Sequence, residues 1–188
     1  MSLLALPVNS ALAQSGSWQD NVYDPGKLKP VDSRLKVEVG QRAPDFALPS
    51  VSGEIVSLSR FKGRKHVVIS FVPAAWTTVC SDQWPGYNIA EALFAENNAI
   101  LLGISVDNIP TLFAWTRQMG ELWFPVLSDF WPHGKVADTF GVLRSDGTSE
   151  RAIFIIDKAG IIRYAHVGDI NRRPDLKGIV DALTALNR

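Results

Sequence analysis

The sequence holds one cysteine among 188 residues. An internal disulfide is therefore excluded, and so are the Cys-rich zinc and iron–sulfur sites. Excess charge of either sign is missing too: 19 basic residues face 19 acidic ones. Nothing favours nucleic acid as a partner, since there is no basic surplus to meet a phosphate backbone. No apolar run approaches the length of a membrane span, so no membrane partner is expected. Internal repeats and low-complexity tracts are absent. What is left is an ordinary globular composition, 46% hydrophobic and 20% charged, long enough for one domain with a core of its own.

The first 36 residues read as a leader and extended arm. Residues 3–12 are fairly apolar, and Ala11-Leu12-Ala13 has the form of an export-signal cleavage site. No Lys or Arg precedes it and Pro7 interrupts it, so a remnant of an export signal and a plain leader stand side by side. A cytoplasmic and an exported location stay equally open. Residues 14–36 are polar and turn-rich, with Asp24-Pro25-Gly26 and Pro30.

The domain is expected over 37–188. Residues 46–48 and 55–56 flank Gly53 as a short hairpin. Residues 67–72 and 100–106 are continuous apolar runs, typical of strands buried on both faces. A helix is expected with Ile89, Ala90, Leu93 and Phe94 on one face. Another carries Ile109, Leu112, Phe113, Thr116 and Met119, opened by Asp107 or Asn108 with Pro110 and closed by Gly120. Residues 124–127 suit a short strand and 135–140 a short helix. Residues 152–156 and 161–167 make a hairpin, and 176–186 a final amphipathic helix with Pro174 near its start. The order implies an α/β fold of thioredoxin-like kind: a mixed central sheet with helices on both faces.

A lone cysteine is more often a buried hydrophobe than a reactive thiol. Context favours the second reading here. Cys80 follows a buried strand and falls in the first turn of the next helix, where unpaired N–H groups and the helix dipole favour a thiolate over a thiol. Such a thiolate attacks peroxide oxygen and becomes a sulfenic acid. Thr77, one turn earlier, offers a hydroxyl that donates and accepts. Pro73 can wall the pocket.

The run from Phe71 to Gln83, with Pro73, Thr77 and Cys80 spaced as Pro-x-x-x-Thr-x-x-Cys, resembles the active-site motif of the peroxiredoxins (the AhpC/TSA superfamily). Residues 39–48, 124–134 and 151–157 resemble further family elements in family order. The single cysteine and the 128–134 run suggest the one-cysteine, AhpE-like branch. The resemblance implies a quartet of Pro73, Thr77, Cys80 and Arg151, with Arg151 stabilising the thiolate and the charge developing on the peroxide. From spacing alone Arg151 would be a solvated charge. The expected activity is thiol-dependent reduction of hydrogen peroxide and alkyl hydroperoxides, without a cofactor or metal. With no second cysteine, an external thiol must regenerate Cys80: thioredoxin, glutaredoxin or a low-molecular-weight thiol. A homodimer is implied by the family.

Gln83 stands where many family members carry Glu, which puts a charged supporting role in doubt. Trp76 and Trp84 flank the motif; each suits core packing, and either could line an apolar rim for alkyl peroxides. His133 reads as a hydrogen-bonded loop histidine, His66 and His166 have no partner motif, and Asp129 suits a cap. Competing functions are a peroxide sensor or redox-switched binding protein and a thioredoxin-type disulfide reductase, which would want a cysteine at Thr77. A copper-delivery module would want a second cysteine as well.

Overall fold

In the computed structural model, residues 17–187 are described; the apolar stretch and the Ala-x-Ala site lie outside them. Seven strands form β1 (Ala47–Pro49), β2 (Ile55–Ser57), β3 (His66–Phe71), β4 (Ala99–Ser105), β5 (Val126–Ser128), β6 (Ala152–Ile156) and β7 (Ile162–Val167). The helices are α1 (Thr78–Ile89), α2 (Glu91–Glu96), α3 (Ile109–Thr116), α4 (Lys135–Phe140) and α5 (Leu176–Ala185).

β1 and β2 pair as a hairpin, and the other strands form one sheet in the order β5-β4-β3-β6-β7. β3, β4 and β5 run parallel, whereas β6 is antiparallel to β3 and β7 to β6. β3 sits in the middle, and all six of its residues are buried. Its side chains alternate between two cores, as the period of a strand requires. Val67, Ile69 and Phe71 join Phe46, Phe140 and Phe154 on one face. Val68 and Val72 join Trp84, Trp115, Leu101 and Leu183 on the other. α4 covers the first face; α1, α2, α3 and α5 cover the second. This is the mixed, doubly covered sheet that the order of elements implied.

Two helical stripes differ from expectation. The chain at 78–96 is two helices rather than one, because Ala90 leaves helical geometry at ψ 13°. Ile89 is consequently 90% exposed while Phe94 is fully buried. In α3 the buried face is Leu112, Trp115 and Thr116, and Phe113 is half exposed. The tryptophan wins the inward place because its indole N–H finds Ser81 Oγ at 3.1 Å, so the largest side chain is buried without losing a hydrogen bond. Asn108, not Asp107, is the cap of α3, its side chain accepting from the Thr111 N–H. The N-cap of α5 is Asp175, one residue after Pro174.

The arm is not a free extension. After one 3₁₀ turn (Trp18–Asn21), its backbone is fastened to the domain along its length. Tyr23 N–H donates to Trp76 O at 2.6 Å, and Ile170 N–H to Pro30 O at 3.0 Å. Asn171 holds Leu28 with both ends of its amide, at 2.9 Å each. Asp32 N–H donates to Glu150 at 2.6 Å. Glu150 is fully buried and pairs with Arg144 at 2.7 Å, and Arg144 also donates to Lys29 O. A buried ion pair stabilises only as far as its remaining bonding capacity is met; the arm's backbone serves the second Glu150 oxygen and Arg144 Nη2, while Arg144 Nε has no hydrogen-bond partner among the described residues and lies 3.5 Å from Asp146 Oδ2. Further on, Gly141 lies at φ 76°, and a Cβ there would stand 2.3 Å from Arg34 O. Only glycine lets the arm cross at that point.

Candidate functional site

β3 ends at Phe71 and α1 begins at Thr78, so the connecting loop lies at the C-terminal edge of the parallel strands. Cys80 is the third residue of α1. The first intrahelical bond of α1 runs from Ser81 N–H to Thr77 O, which leaves the three preceding N–H groups, that of Cys80 included, without an intrahelical acceptor. The sulfur is fully buried.

The antiparallel β6 delivers Arg151, the residue immediately before it, to the same edge. Arg151 is 1% exposed, and each arm of its guanidinium is assigned. Nε donates to Ile170 O at 3.1 Å, Nη1 to Gln83 Oε1, and Nη2 to Cys80 Sγ at 3.4 Å. The expectation of a solvated charge from spacing alone is thereby overturned. A planar fork with three fixed partners leaves the guanidinium no freedom to turn away from the sulfur.

Gln83 is fully buried and bridges the guanidinium to the core. Its Nε2 donates to Ser70 Oγ at 3.0 Å and to the Tyr87 hydroxyl at 3.5 Å. Burial pushes the Tyr87 phenol well above its ordinary value, against the pull of Arg151, so it stays neutral. The amide thus does two things a carboxylate could not do together: it accepts from Arg151 and donates twice.

Thr77 is the N-cap residue of α1 by position, but its side chain does not cap. Its hydroxyl donates to Ala74 O at 2.9 Å, and no hydrogen bond joins it to Sγ among the described residues. Thr77, Pro73 and Arg151 line a cleft of about 950 Å³, whose opposite wall is the arm from Tyr23 to Pro30. The remaining rim is Asp146, Thr148 and the 169–172 loop. Three sequence candidates, Pro73, Thr77 and Arg151, line the cleft; Cys80 does not line it and is joined to it through Arg151, whose Nη2 touches Sγ.

Neither tryptophan forms part of that wall. Trp84 is fully buried, stacks on Trp115 with ring centres 5.0 Å apart, and donates to Ser70 Oγ at 3.3 Å. Trp76 packs against the same core with a positive φ of 59°. Apolar-rim roles for both give way to core packing. Asp129 caps α4 as expected, accepting from Val136 and Ala137 N–H at 3.0 and 2.8 Å. Burial raises its pKa and those two bonds oppose the rise. His66 is buried with Nδ1 unpartnered, and burial, then Lys158, pulls its pKa down while Asp157 opposes. Among the described residues no cluster of three His, Cys, Asp or Glu is placed to hold a metal.

Sequence reasoning missed Ser70, Tyr87 and the Arg144–Glu150 pair. Ser70 had a signal: a lone hydroxyl inside an apolar strand must find a partner. Tyr87 sits one helical turn beyond Gln83, and nothing marked it out. The pair had none, because neither the local bridge that sets Arg144 beside Glu150 nor the arm that bonds to both shows in their spacing.

Comparison with known proteins agrees with this arrangement. The family described as AhpC/TSA matches residues 39–165. Alkyl hydroperoxide reductase E of Mycobacterium tuberculosis is 36% identical over 151 residues, covering 80% of this chain and 98% of that protein. A chloroplastic 2-cysteine peroxiredoxin of Chattonella marina is 33% identical over 146 residues, 73% of this chain and 74% of that one. Among solved structures, the reduced 2-Cys peroxiredoxin of Plasmodium vivax superposes with a TM-score of 0.74 at 29% identity, covering 80% of this chain and 82% of that one.

Proposed function

We infer the part played by each side chain from one premise: the chain belongs to the AhpC/TSA family, the peroxiredoxins, and is a thiol-dependent hydroperoxide reductase. Its single cysteine fits the AhpE-like branch. We propose Cys80 as the reacting sulfur, and the observation that carries this is the Arg151 Nη2 contact at 3.4 Å. A guanidinium fixed against a sulfur at a helix N-terminus is placed to meet the negative charge that develops when that sulfur reacts with a peroxide.

The thiolate attacks the terminal oxygen of the hydroperoxide. The S–O bond forms as the O–O bond breaks, and the departing alkoxide or hydroxide takes a proton to leave as alcohol or water. Cys80 is left as sulfenic acid, oxidised by two electrons. Negative charge grows on both oxygens as their bond stretches. Arg151 and the unpaired N–H groups of the first turn are already oriented toward that charge, so little reorganisation is required at the moment of reaction.

Thr77 orients the peroxide. Its one proton is committed to Ala74 O, which leaves its lone pairs to accept from the hydroperoxide O–H. Pro73 has no N–H and closes one side of the cleft to water. Gln83 positions Arg151. The protein is expected to be a homodimer, which sedimentation would test.

Stopped-flow mixing with hydrogen peroxide tests the assignment. We expect a fluorescence change from the nearby tryptophans that is lost in Cys80→Ser. A peroxide consumption rate in Cys80→Ser equal to wild type, or a wild-type rate no faster than free cysteine, would remove the case for Cys80.

A further inference from the structure

The cleft is far larger than the oxidant requires. Hydrogen peroxide has two oxygen atoms and needs roughly twice the ~30 Å³ of a water molecule. The cleft holds about 950 Å³, at the top of the ~300–1,000 Å³ range in which small molecules bind. One entire wall is the arm, Tyr23–Pro30. That wall lies ahead of the family-matched residues, which begin at 39.

The arm passes over the site as a strap fixed at both ends. At one end Tyr23 is bonded to Trp76 of the catalytic loop, and at the other Pro30 is bonded to Ile170, whose own carbonyl orients Arg151. Between them Leu28 is clamped by Asn171. Beyond Pro30, Asp32 accepts from Ser145 N–H and Oγ at 3.0 and 2.5 Å. The sulfur itself is fully buried. A thiol on a folded protein projects only one side chain beyond its own surface, and the strap walls the cleft that it would have to enter. A small, flexible thiol can enter along the cleft.

Resting on the peroxidase reading, we propose that the arm selects the reductant: it admits a low-molecular-weight thiol to oxidised Cys80 and shields it from a folded protein thiol. The thiolate of the small reductant attacks the sulfenic sulfur. An S–S bond forms, the S–O bond breaks, and the hydroxide that departs takes one proton from solvent to leave as water. A second small thiol then attacks the outer sulfur of this mixed disulfide. That step releases a symmetrical disulfide and returns Cys80 as thiolate. Two thiols supply the two electrons that the peroxide removed.

The test separates the two half-reactions. Full-length protein is first oxidised with one equivalent of peroxide, and sulfenic acid is counted by mass as its dimedone adduct. Failure here ends the peroxidase reading and, with it, this one. Oxidised protein is then mixed with glutathione, or with thioredoxin kept reduced by its reductase, and the return of free thiol is timed. We expect thioredoxin to be at least tenfold slower than glutathione at equal thiol concentration. In the double variant Asp32→Ala/Asn171→Ala, which removes the side-chain clamps on Leu28 and on the chain beyond Pro30 and so loosens the strap between its end bonds, the thioredoxin rate should rise at least tenfold. Equal or faster reduction of the wild type by thioredoxin would overturn the proposal even if the double variant did not fold. A thioredoxin rate unmoved in a folded double variant would overturn it as well.

Discussion

Replacing Arg151 with lysine keeps the charge and removes the fork. The native guanidinium holds Ile170 O, Gln83 Oε1 and Cys80 Sγ with three different nitrogens. An ammonium has one nitrogen on a flexible stem and cannot occupy three sites that far apart. If it stays with Gln83 or Ile170, the sulfur and the peroxide oxygens lose their donor. Removing one preoriented donor from a developing negative charge costs about 2.7–4 kcal/mol, a factor of roughly 100–1,000 in rate. The abandoned carbonyls are buried, and each costs about 1–3 kcal/mol of stability if no water replaces the donor. Arg151→Lys should therefore oxidise at least about 100-fold more slowly than wild type and melt at a lower temperature. Stopped-flow fluorescence against hydrogen peroxide gives the rate, and a thermal scan gives the stability. A second-order rate within about threefold of wild type would refute the reasoning. Threefold is about 0.7 kcal/mol, less than one ordinary hydrogen bond.

Three further outcomes follow from the geometry. Thr77→Val keeps the shape but loses the lone pairs facing the cleft and the bond to Ala74 O; peroxide oxidation should slow by about tenfold or more, as expected for one lost bond of about 1.5 kcal/mol, and a rate equal to wild type would remove Thr77 from the mechanism. Gly103→Ala puts a Cβ 2.8 Å from the Trp84 ring, so chemical denaturation should show a loss of about 1–3 kcal/mol from overpacking, whereas unchanged stability would mean the ring has slack. The Asp32 carboxylate is held below the usual range by Lys29, then by the Ser145 hydroxyl and N–H; its pKa is depressed on folding, so its contribution is present above the ordinary value of about 3.9 and is lost as pH falls toward the folded one. Amide exchange at Ser145 should accordingly show the clamp as firm at pH 5 as at pH 7, loosening only below about pH 4; release already at pH 6 would contradict the assignment.

Much of the sheet was legible because its strands are buried on both faces and read as unbroken apolar runs. Residues 67–72 and 152–156 became β3 and β6 for that reason. Helix faces were harder to read. Ile89 looked inward by spacing and points to solvent, since the break at Ala90 resets the phase. Phe113 lost its expected place to Trp115, whose indole has a polar partner waiting. At the site, Cys80 could be argued from local structure, since its chemistry comes from one loop and one turn. Arg151 could not: its burial depends on Gln83 and Ile170, 68 and 19 residues away in sequence. Only family likeness pointed to it. Gln83 looked like a weakened Glu and turns out to need its amide, because Ser70 and Tyr87 both take a donor from it. The arm was read only as an extended, turn-rich stretch; its fastening was not legible, as it comes from backbone and side-chain bonds that a polar, turn-rich composition does not reveal.

The fastening of that arm bears on where the molecule can be cut. The stretch shared with relatives looks like a natural unit, yet trimming to it would strand Glu150 in the interior beside Arg144, with the Asp32 amide gone. A charge that had been sealed by peptide groups would face a water-filled gap next to the residue bearing the guanidinium. The family-matched stretch and the length of chain that bonds to this buried pair are therefore different.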